Sequence, residues 1–195
     1  MKQYLIFSII SFCNITQFAF AQNTHGNKVA PKYKKALVSY SDFKSLLLEA
    51  EKHRANHLIS FDEFLTAAKS KDVIVLDTRS AFRFKRKHLK GAINLNFSDF
   101  TQENLSKIIP DPNSKILIYC NNNFEGDQID FASKVVVPKN RPETQILANR
   151  KPRMLALNVP TYITLFGYGY VNVFELDELV NIKDKRVVFE GTEVK

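Results

Sequence analysis

Short, unbroken apolar runs alternate along the chain with segments whose apolar residues recur at helical spacing. Phe43, Leu46, Leu47 and Ala50 fall at i, i+3, i+4 and i+7, which predicts a helix from a cap at Ser41 to about Ala55, packed outside the main domain. Ser60-Phe61-Asp62-Glu63 is a capping box, in which Ser and Glu each satisfy the other's backbone N–H. Phe61, Phe64, Leu65 and Ala68 give the helix that follows one apolar face. Val73-Ile74-Val75-Leu76 has no polar break, as a strand covered on both faces requires. Residues 92–95 predict a shorter strand, and Phe100, Leu105, Ile108 and Ile109 a helical patch that stops at Pro110. Asp111-Pro112-Asn113 is a turn, and residues 115–119, Lys-Ile-Leu-Ile-Tyr, predict a second buried strand. Helical pattern runs from Met154 to Leu165, with Pro160 as a kink or second start, and ends at Gly167 and Gly169. Residues 171–176 predict a last strand and residues 177–180 the start of a closing helix.

This alternation is the signature of an α/β fold with a mainly parallel sheet. Ligand sites in such sheets lie beyond the carboxyl ends of the strands. Cys120 stands one residue past the run 116–119 and so opens such a loop.

Composition narrows the class. The chain has 195 residues, enough for one domain with a helical extension. Apolar residues at 45% and charged residues at 25% exclude disorder, collagen, coiled coil and a polytopic membrane protein, and two cysteines are too few for a disulfide-stapled mini-protein. Residues 1–21 read as a secretory signal peptide: Lys2, then Leu5, Ile6, Phe7, Ile9, Ile10 and Phe12, then Ala19-Phe20-Ala21 as the small-x-small cleavage site. A transmembrane anchor is the weaker rival, because the stretch is short and is broken by Asn14 and Gln17. A lipoprotein anchor at Cys13 would need a small residue where Phe12 stands. The expectation is therefore a bacterial protein exported to the periplasm or secreted, with no stable membrane anchor after cleavage. Cleavage removes Cys13 and leaves Cys120 as a lone thiol, either buried and inert or free and reactive.

The formal charge of +8 is spread over the chain. Lys32, Lys34 and Lys35 form one cluster; Arg83, Lys85, Arg86, Lys87 and Lys90 form another. Solvated helix faces are the preferred account over nucleic acid or anionic lipid, because no aromatic-interleaved strand accompanies the lysines. Residues 22–56 read as a polar leader and a helical extension. Residues 133–153 hold Pro138, Pro142 and Pro152 among Lys134, Lys139, Arg141, Arg150, Lys151 and Arg153, a basic insertion or long loop.

Cys120 is followed by Asn121-Asn122-Asn123-Phe124-Glu125-Gly126-Asp127. Asn and Gly tolerate positive φ, so the stretch can curl until backbone N–H groups point inward at a helix N-terminus, a nest that stabilises a thiolate. A buried cysteine ending a core strand, with an Asn-rich turn after it, fits the same residues equally well.

Residues 77–94 resemble the signature of the rhodanese-like domain family. Asp77, Arg79, Phe84, His88, Gly91, Ala92 and Asn94 stand at the family's spacings, and Gly169-Tyr170-Val171-Asn172-Val173 resembles its closing motif. The resemblance covers roughly residues 58–181. It implies a three-layer α/β domain with a central, mainly parallel sheet over residues 57–185, carrying the 133–153 insertion and followed by a tail at 186–195. It also implies catalysis by Cys120, the residue that ends a buried strand as the family's nucleophile does. Asn121, Asn122, Asn123, Phe124, Glu125, Gly126 and Asp127 would then be the active-site loop, and Asp77, Arg79, His88 and Gly91 a supporting motif. The implied activity is sulfur transfer: a thiolate takes sulfane sulfur from a donor such as thiosulfate and passes it to a thiol or cyanide. The implied partners are a small sulfur-containing donor and a thiol acceptor, with room for a protein partner, no nucleic acid and no cofactor.

The departures bear on this. Active family members carry Arg or Lys in the loop, where this chain has Glu125 and Asp127, carboxylates that disfavour thiolate and repel an anionic donor. Arg83 replaces an acid, and Lys87 a glycine, before His88. Arg141, Arg150, Lys151 or Arg153 could restore positive charge over the pocket. A rhodanese-fold binding or sensing module is therefore the alternative to a sulfurtransferase. A related cysteine phosphatase ranks lower, because no Arg lies between Asn121 and Asp127 to bind phosphate. Asp77 and Arg79 are expected to pair and fix a turn, Asp127 to cap a helix, and His88, Tyr162, Tyr168 and Tyr170 to pack. His25, His53 and His57 show no metal-ligand spacing, so no metal is expected.

Overall fold

The unbroken apolar runs become the centre of a parallel sheet in the computed structural model, which describes residues 33–136 and 152–194. The chain divides into Met1–Val38, of which residues 33–38 are described, and a second unit, Ser39–Lys195. The signal-peptide reading of residues 1–21, with Cys13, His25 and Lys32, lies outside the described residues, as do residues 137–151 of the insertion with Arg141, Arg150 and Lys151. Among the described residues no helix is long and apolar enough to cross a membrane.

The second unit begins with α1 (Tyr40–Arg54), β1 (Leu58–Ile59), α2 (Phe61–Ala67), β2 (Val73–Asp77), α3 (Ala81–Arg86), β3 (His88–Leu89) and β4 (Ile93–Asn94). It continues with α4 (Gln102–Ile108), β5 (Lys115–Tyr119), β6 (Phe124–Glu125), β7 (Val135–Val136), β8 (Arg153–Met154) and α5 (Asn158–Gly167). β9 (Val173–Leu176), β10 (Val180–Asn181) and β11 (Phe189–Glu190) close it. The five-stranded sheet has the order β1-β9-β5-β2-β4, and each pairing in it is parallel.

β5 shows why its sequence is apolar throughout. Side chains alternate between sheet faces along a strand. Ile116 and Ile118 face Leu105, Ile109, Tyr162 and Leu165 on one side. Leu117 and Tyr119 face Phe61, Phe64, Phe124 and Phe131 on the other. Both faces are covered, so no position after Lys115 tolerates water. Burying each such side chain contributes about 1.5–3 kcal/mol.

The capping box forms as expected: Glu63 N–H donates to Ser60 Oγ (3.3 Å) and Ser60 N–H to Glu63 Oε2 (2.8 Å). Several other expectations are corrected. α1 is capped by Ser39, whose Oγ accepts the Asp42 N–H at 3.2 Å, rather than by Ser41. It does not stand apart from the domain but packs on α5, burying Ala50. A Cβ on Gly167 would lie 2.8 Å from Leu46 Cδ2, so glycine permits this close approach. α5 starts at Asn158, not Met154, because Arg153–Met154 pairs antiparallel with Val135–Val136; Pro160 sits in the first turn, where its missing N–H costs nothing. The closing helix is absent: residues 180–181 pair with Phe124–Glu125 as a short strand.

Candidate active site

β2 and β5 lie side by side, Asp77 paired in register with Tyr119, and both leave the sheet at its carboxyl edge. Two different arrangements are built there.

At the exit of β2, Asp77 is fully buried and Arg79 is 3% exposed. Arg79 Nη2 donates to Asp77 Oδ2 at 2.6 Å, and its Nε reaches both carboxylate oxygens at 3.0 Å. Tyr119 Oη donates to Asp77 Oδ2 (2.6 Å) and accepts the Leu89 N–H (3.1 Å). The remaining Arg79 donors reach Lys87 O (2.7 Å) and Asp130 O (3.0 Å), and Asn94 Nδ2 bonds Asp77 O and Arg79 O. Burial works against the Arg79 charge, but the Asp77 carboxylate overrides it and holds the guanidinium pKa above its ordinary value. Burial, then Asp77, pushes the Tyr119 phenol well up, so it remains a donor. His88 and Gly91 sit beyond this lock. His88 stacks on Phe84 (centroids 3.7 Å apart) with Nδ1 2.6 Å from Phe84 O, and Gly91 turns the chain at φ +78.

At the exit of β5, Cys120 is 1% exposed. Residues Asn121–Asn123 form a single 3-10 turn and lead into β6, so the expected helix N-terminus is not there. Among the described residues no non-glycine φ is positive, so the asparagines do not form the expected nest. Asn123 turns inward instead. Its Oδ1 accepts Cys120 N–H (2.9 Å) and Asn158 Nδ2 (2.8 Å), while its Nδ2 donates to Leu176 O (2.7 Å) and Glu178 O (3.2 Å). Asn122 holds the start of the insertion, accepting Lys134 N–H at 2.7 Å and donating to Lys134 O at 3.3 Å. Leu155 N–H also donates to Lys134 O, at 2.7 Å. The insertion's two ends thus meet beside the cysteine.

The thiol receives the backbone N–H groups of Leu157 and Asn121. Burial pushes its pKa up; these N–H groups pull it down, Asp77 adds to the rise, and Lys134 offsets part of it. Asn121 is 6% exposed, and its Oδ1 is the one buried side-chain polar atom without a hydrogen-bond partner among the described residues.

The acids of the loop are compensated. Asp127 does not cap a helix. Its Oδ1 accepts the N–H groups of Ile129 and Asp130 in a local turn, and Lys87 Nζ donates to its Oδ2 at 2.9 Å. Desolvation of Asp127 is outweighed by these bonds, and its pKa is lowered. Arg86 Nε donates to Asp130 Oδ1 at 2.6 Å, and Arg83 donates to Ile129 O. Part of the basic cluster is therefore engaged rather than solvated: Arg83, Arg86 and Lys87 answer the acids beyond Cys120, while Lys85 and Lys90 are exposed. Phe124 is buried in the core, Glu125 is exposed, and Gly126 holds φ +92 with room for no more than a tight Cβ against Ile182. Arg153 is exposed on β8. Lys134, on the near end of the insertion, is the cation that acts on the thiol, and neither it nor Leu157 was singled out by the motif. Among the described residues no group of three His, Cys, Asp or Glu could hold a metal.

A cavity of about 560 Å³ adjoins this loop, lined in part by Asn122, Asn123 and Asn158.

A family model described as the Rhodanese-like domain matches residues 60–178. No curated protein matches the chain. Among solved structures the chain is similar to a rhodanese with anions from E. coli, at 17% identity over 61% of this chain and 98% of that one, with a TM-score of 0.35. It is similar to a Bacillus halodurans protein at 17% identity over 75% and 87% of the two chains (TM-score 0.45). It is also similar to a homodimeric polysulfide-sulfur transferase from Wolinella succinogenes at 11% identity over 73% and 91% (TM-score 0.37).

Proposed function

We propose a sulfur-carrying role for Cys120 on one premise: the chain belongs to the rhodanese-like domain family. The Cys120 thiolate attacks the outer sulfur of a sulfane donor such as thiosulfate. The donor's S–S bond breaks, sulfite leaves with the electron pair, and a persulfide remains on Sγ. An acceptor thiolate or cyanide then attacks the outer sulfur, and Cys120 departs as thiolate. Asn121, Asn122 and Asn123 form the turn beside this group, Phe124 to Asp127 lead from it into β6 and the Lys87 ion pair, and Asp77, Arg79, His88 and Gly91 fix the neighbouring turn.

One observation supports the proposal: Cys120 is buried directly past the carboxyl end of central strand β5, where the backbone N–H groups of Asn121 and Leu157 work against burial to lower its pKa. Such donors stabilise anionic sulfur at each stage of the cycle. The raised thiol pKa makes the thiolate scarce at neutral pH, while burial shields a persulfide from water. The same burial also favours the alternative, a binding or sensing module without turnover.

Thiosulfate or polysulfide, offered with cyanide, separates the two. Thiocyanate formed above the uncatalysed rate, and lost in Cys120→Ser, is the expected result. Thiocyanate at the background rate in both proteins, with a native thiol slow to alkylate, would leave the binding module.

A further inference from the structure

The cavity beside the cysteine loop is built mostly from the ends of the strands and the start of α5, with one addition from α1. Arg54, from α1, lies outside the family match at 60–178, and Met154, Leu155 and Ala156 directly follow the insertion. Val159, Pro160 and Leu179 complete an apolar lining. About 560 Å³ is the size of a small-molecule site.

Its charge is opposite to that of the chain. Arg54 is consumed by Glu175, with Nε 2.5 Å from Oε2 and Nη2 2.7 Å from Oε1. Asp177 and Glu178, both exposed, also line the cavity. One Glu178 oxygen accepts the Phe61 N–H at 2.7 Å, which leaves its charge in place. Among the described residues, the four ionisable groups of the lining sum to an acidic site on a chain of net charge +8. Local carboxylates favour a cation here, against the wider field of a basic chain, which favours anions.

The cavity borders the turn that holds the cysteine, and Cys120 itself lies behind that lining. Asn123 and Asn158 line it, and the Asn123 oxygen that accepts Asn158 Nδ2 also accepts Cys120 N–H. Leu157, between cavity-lining Ala156 and Asn158, gives its N–H to Sγ. A persulfide places its outer sulfur about 2 Å beyond Sγ, so the terminal atom is what an acceptor meets.

We infer that this cavity receives the sulfur acceptor, and that the acceptor is a small thiol bearing an ammonium group; this rests on the sulfur-carrying role of Cys120. The ammonium sits toward Asp177 and Glu178 and the carbon chain against the apolar wall. The acceptor thiolate attacks the outer sulfur of the persulfide, a new S–S bond forms on the acceptor, and Cys120 Sγ leaves with the electron pair of the old bond. The acceptor persulfide departs, and no outside oxidant or reductant is needed.

Charge selectivity at Cys120 tests the inference without requiring a persulfide. The full protein is treated with trimethylammonioethyl or sulfonatoethyl methanethiosulfonate, and the mixed disulfide at Cys120 is followed by mass. In this reaction the thiolate attacks the reagent's thio sulfur and methanesulfinate leaves. Rates are normalised to a free small thiol. The cationic reagent should react roughly fivefold faster or more, and Asp177→Asn should cut the ratio by about half. Leu179→Arg, at an exposed cavity position, should invert it. Equal rates, an anionic preference, a ratio unmoved by both variants, or no modification by either reagent would overturn the inference. Persulfide formation on a separate sample decides the role of Cys120, so the two failures are told apart.

Discussion

The exits of β2 and β5 begin as paired residues of neighbouring strands and end in opposite kinds of chemistry. At Asp77 two opposite charges are buried together, with both carboxylate oxygens and the guanidinium engaged. At Cys120 the surroundings are neutral amides, the side chain is a thiol with a raised pKa, and the adjacent Asn121 keeps one acceptor unused. A fully paired charge network has nothing left to offer a substrate; it fixes geometry. A polarisable group under two N–H donors, held by weaker neutral bonds, can change its bonding without uncovering a buried charge. The contrast fits a structural role for the first exit and the proposed sulfur chemistry for the second.

The largest break comes from removing one partner of the charge lock. Asp77→Ala leaves Arg79 buried without its carboxylate, an expected loss of about 3–5 kcal/mol, read as a lower urea midpoint. Next is Asn123→Ala, which strips partners from the Cys120 N–H and the Leu176 and Glu178 carbonyls. It should cost about 2–3 kcal/mol and also speed alkylation of Cys120. Asn158→Ala loses a single bond to Asn123, about 1 kcal/mol, and should loosen the cover over the thiol with little global effect.

A pH series sharpens the contrast further. Burial raises the Cys120 pKa in the folded protein, whereas the unfolded thiol titrates near about 8.5. Above that pH the unfolded chain gives up this proton first, so the native state binds more protons and stability falls as pH rises. Below it, Cys120 adds no slope. The stability gap between the protein and Cys120→Ser, measured in urea near about pH 7 and about pH 10, should therefore shift against the native cysteine at the higher pH. An unchanged gap contradicts a raised thiol pKa. The smallest effect is expected from Lys134→Gln, which should slow alkylation at neutral pH by roughly twofold, since an exposed cation acts on the thiol through a screened field.

What was legible in the sequence was local or periodic. The run at Lys115–Tyr119 announces a strand covered on both faces, and Ser60 with Glu63 announces a helix start, because each pattern is complete within a few residues. The order of those elements, with Asp77, Arg79, His88 and Gly91 in register, carried the fold. Of the two readings open for the loop after Cys120, the buried cysteine with an Asn-rich turn holds and the nest at a helix start fails, because the loop's geometry is set from far away. Asn123 bonds carbonyls more than 50 residues downstream, which ties the chain into β6 before a helix can start. Lys87 and Asp127, 40 residues apart, looked like two separate departures and are one ion pair. Leu157 reaches the thiol through its backbone N–H, a group every residue but proline carries, so no side-chain motif could reveal it.

The central claim, that Cys120 carries sulfur, is tested most directly by intact mass. The protein and Cys120→Ser are exposed to thiosulfate or to a polysulfide, then to cyanide or a thiol. One added sulfur on the parent, absent from the variant and removed by the acceptor, is the predicted result. The parent unchanged by both donors, while its thiol remains reduced, would contradict the claim and leave Cys120 as a buried residue of a binding domain.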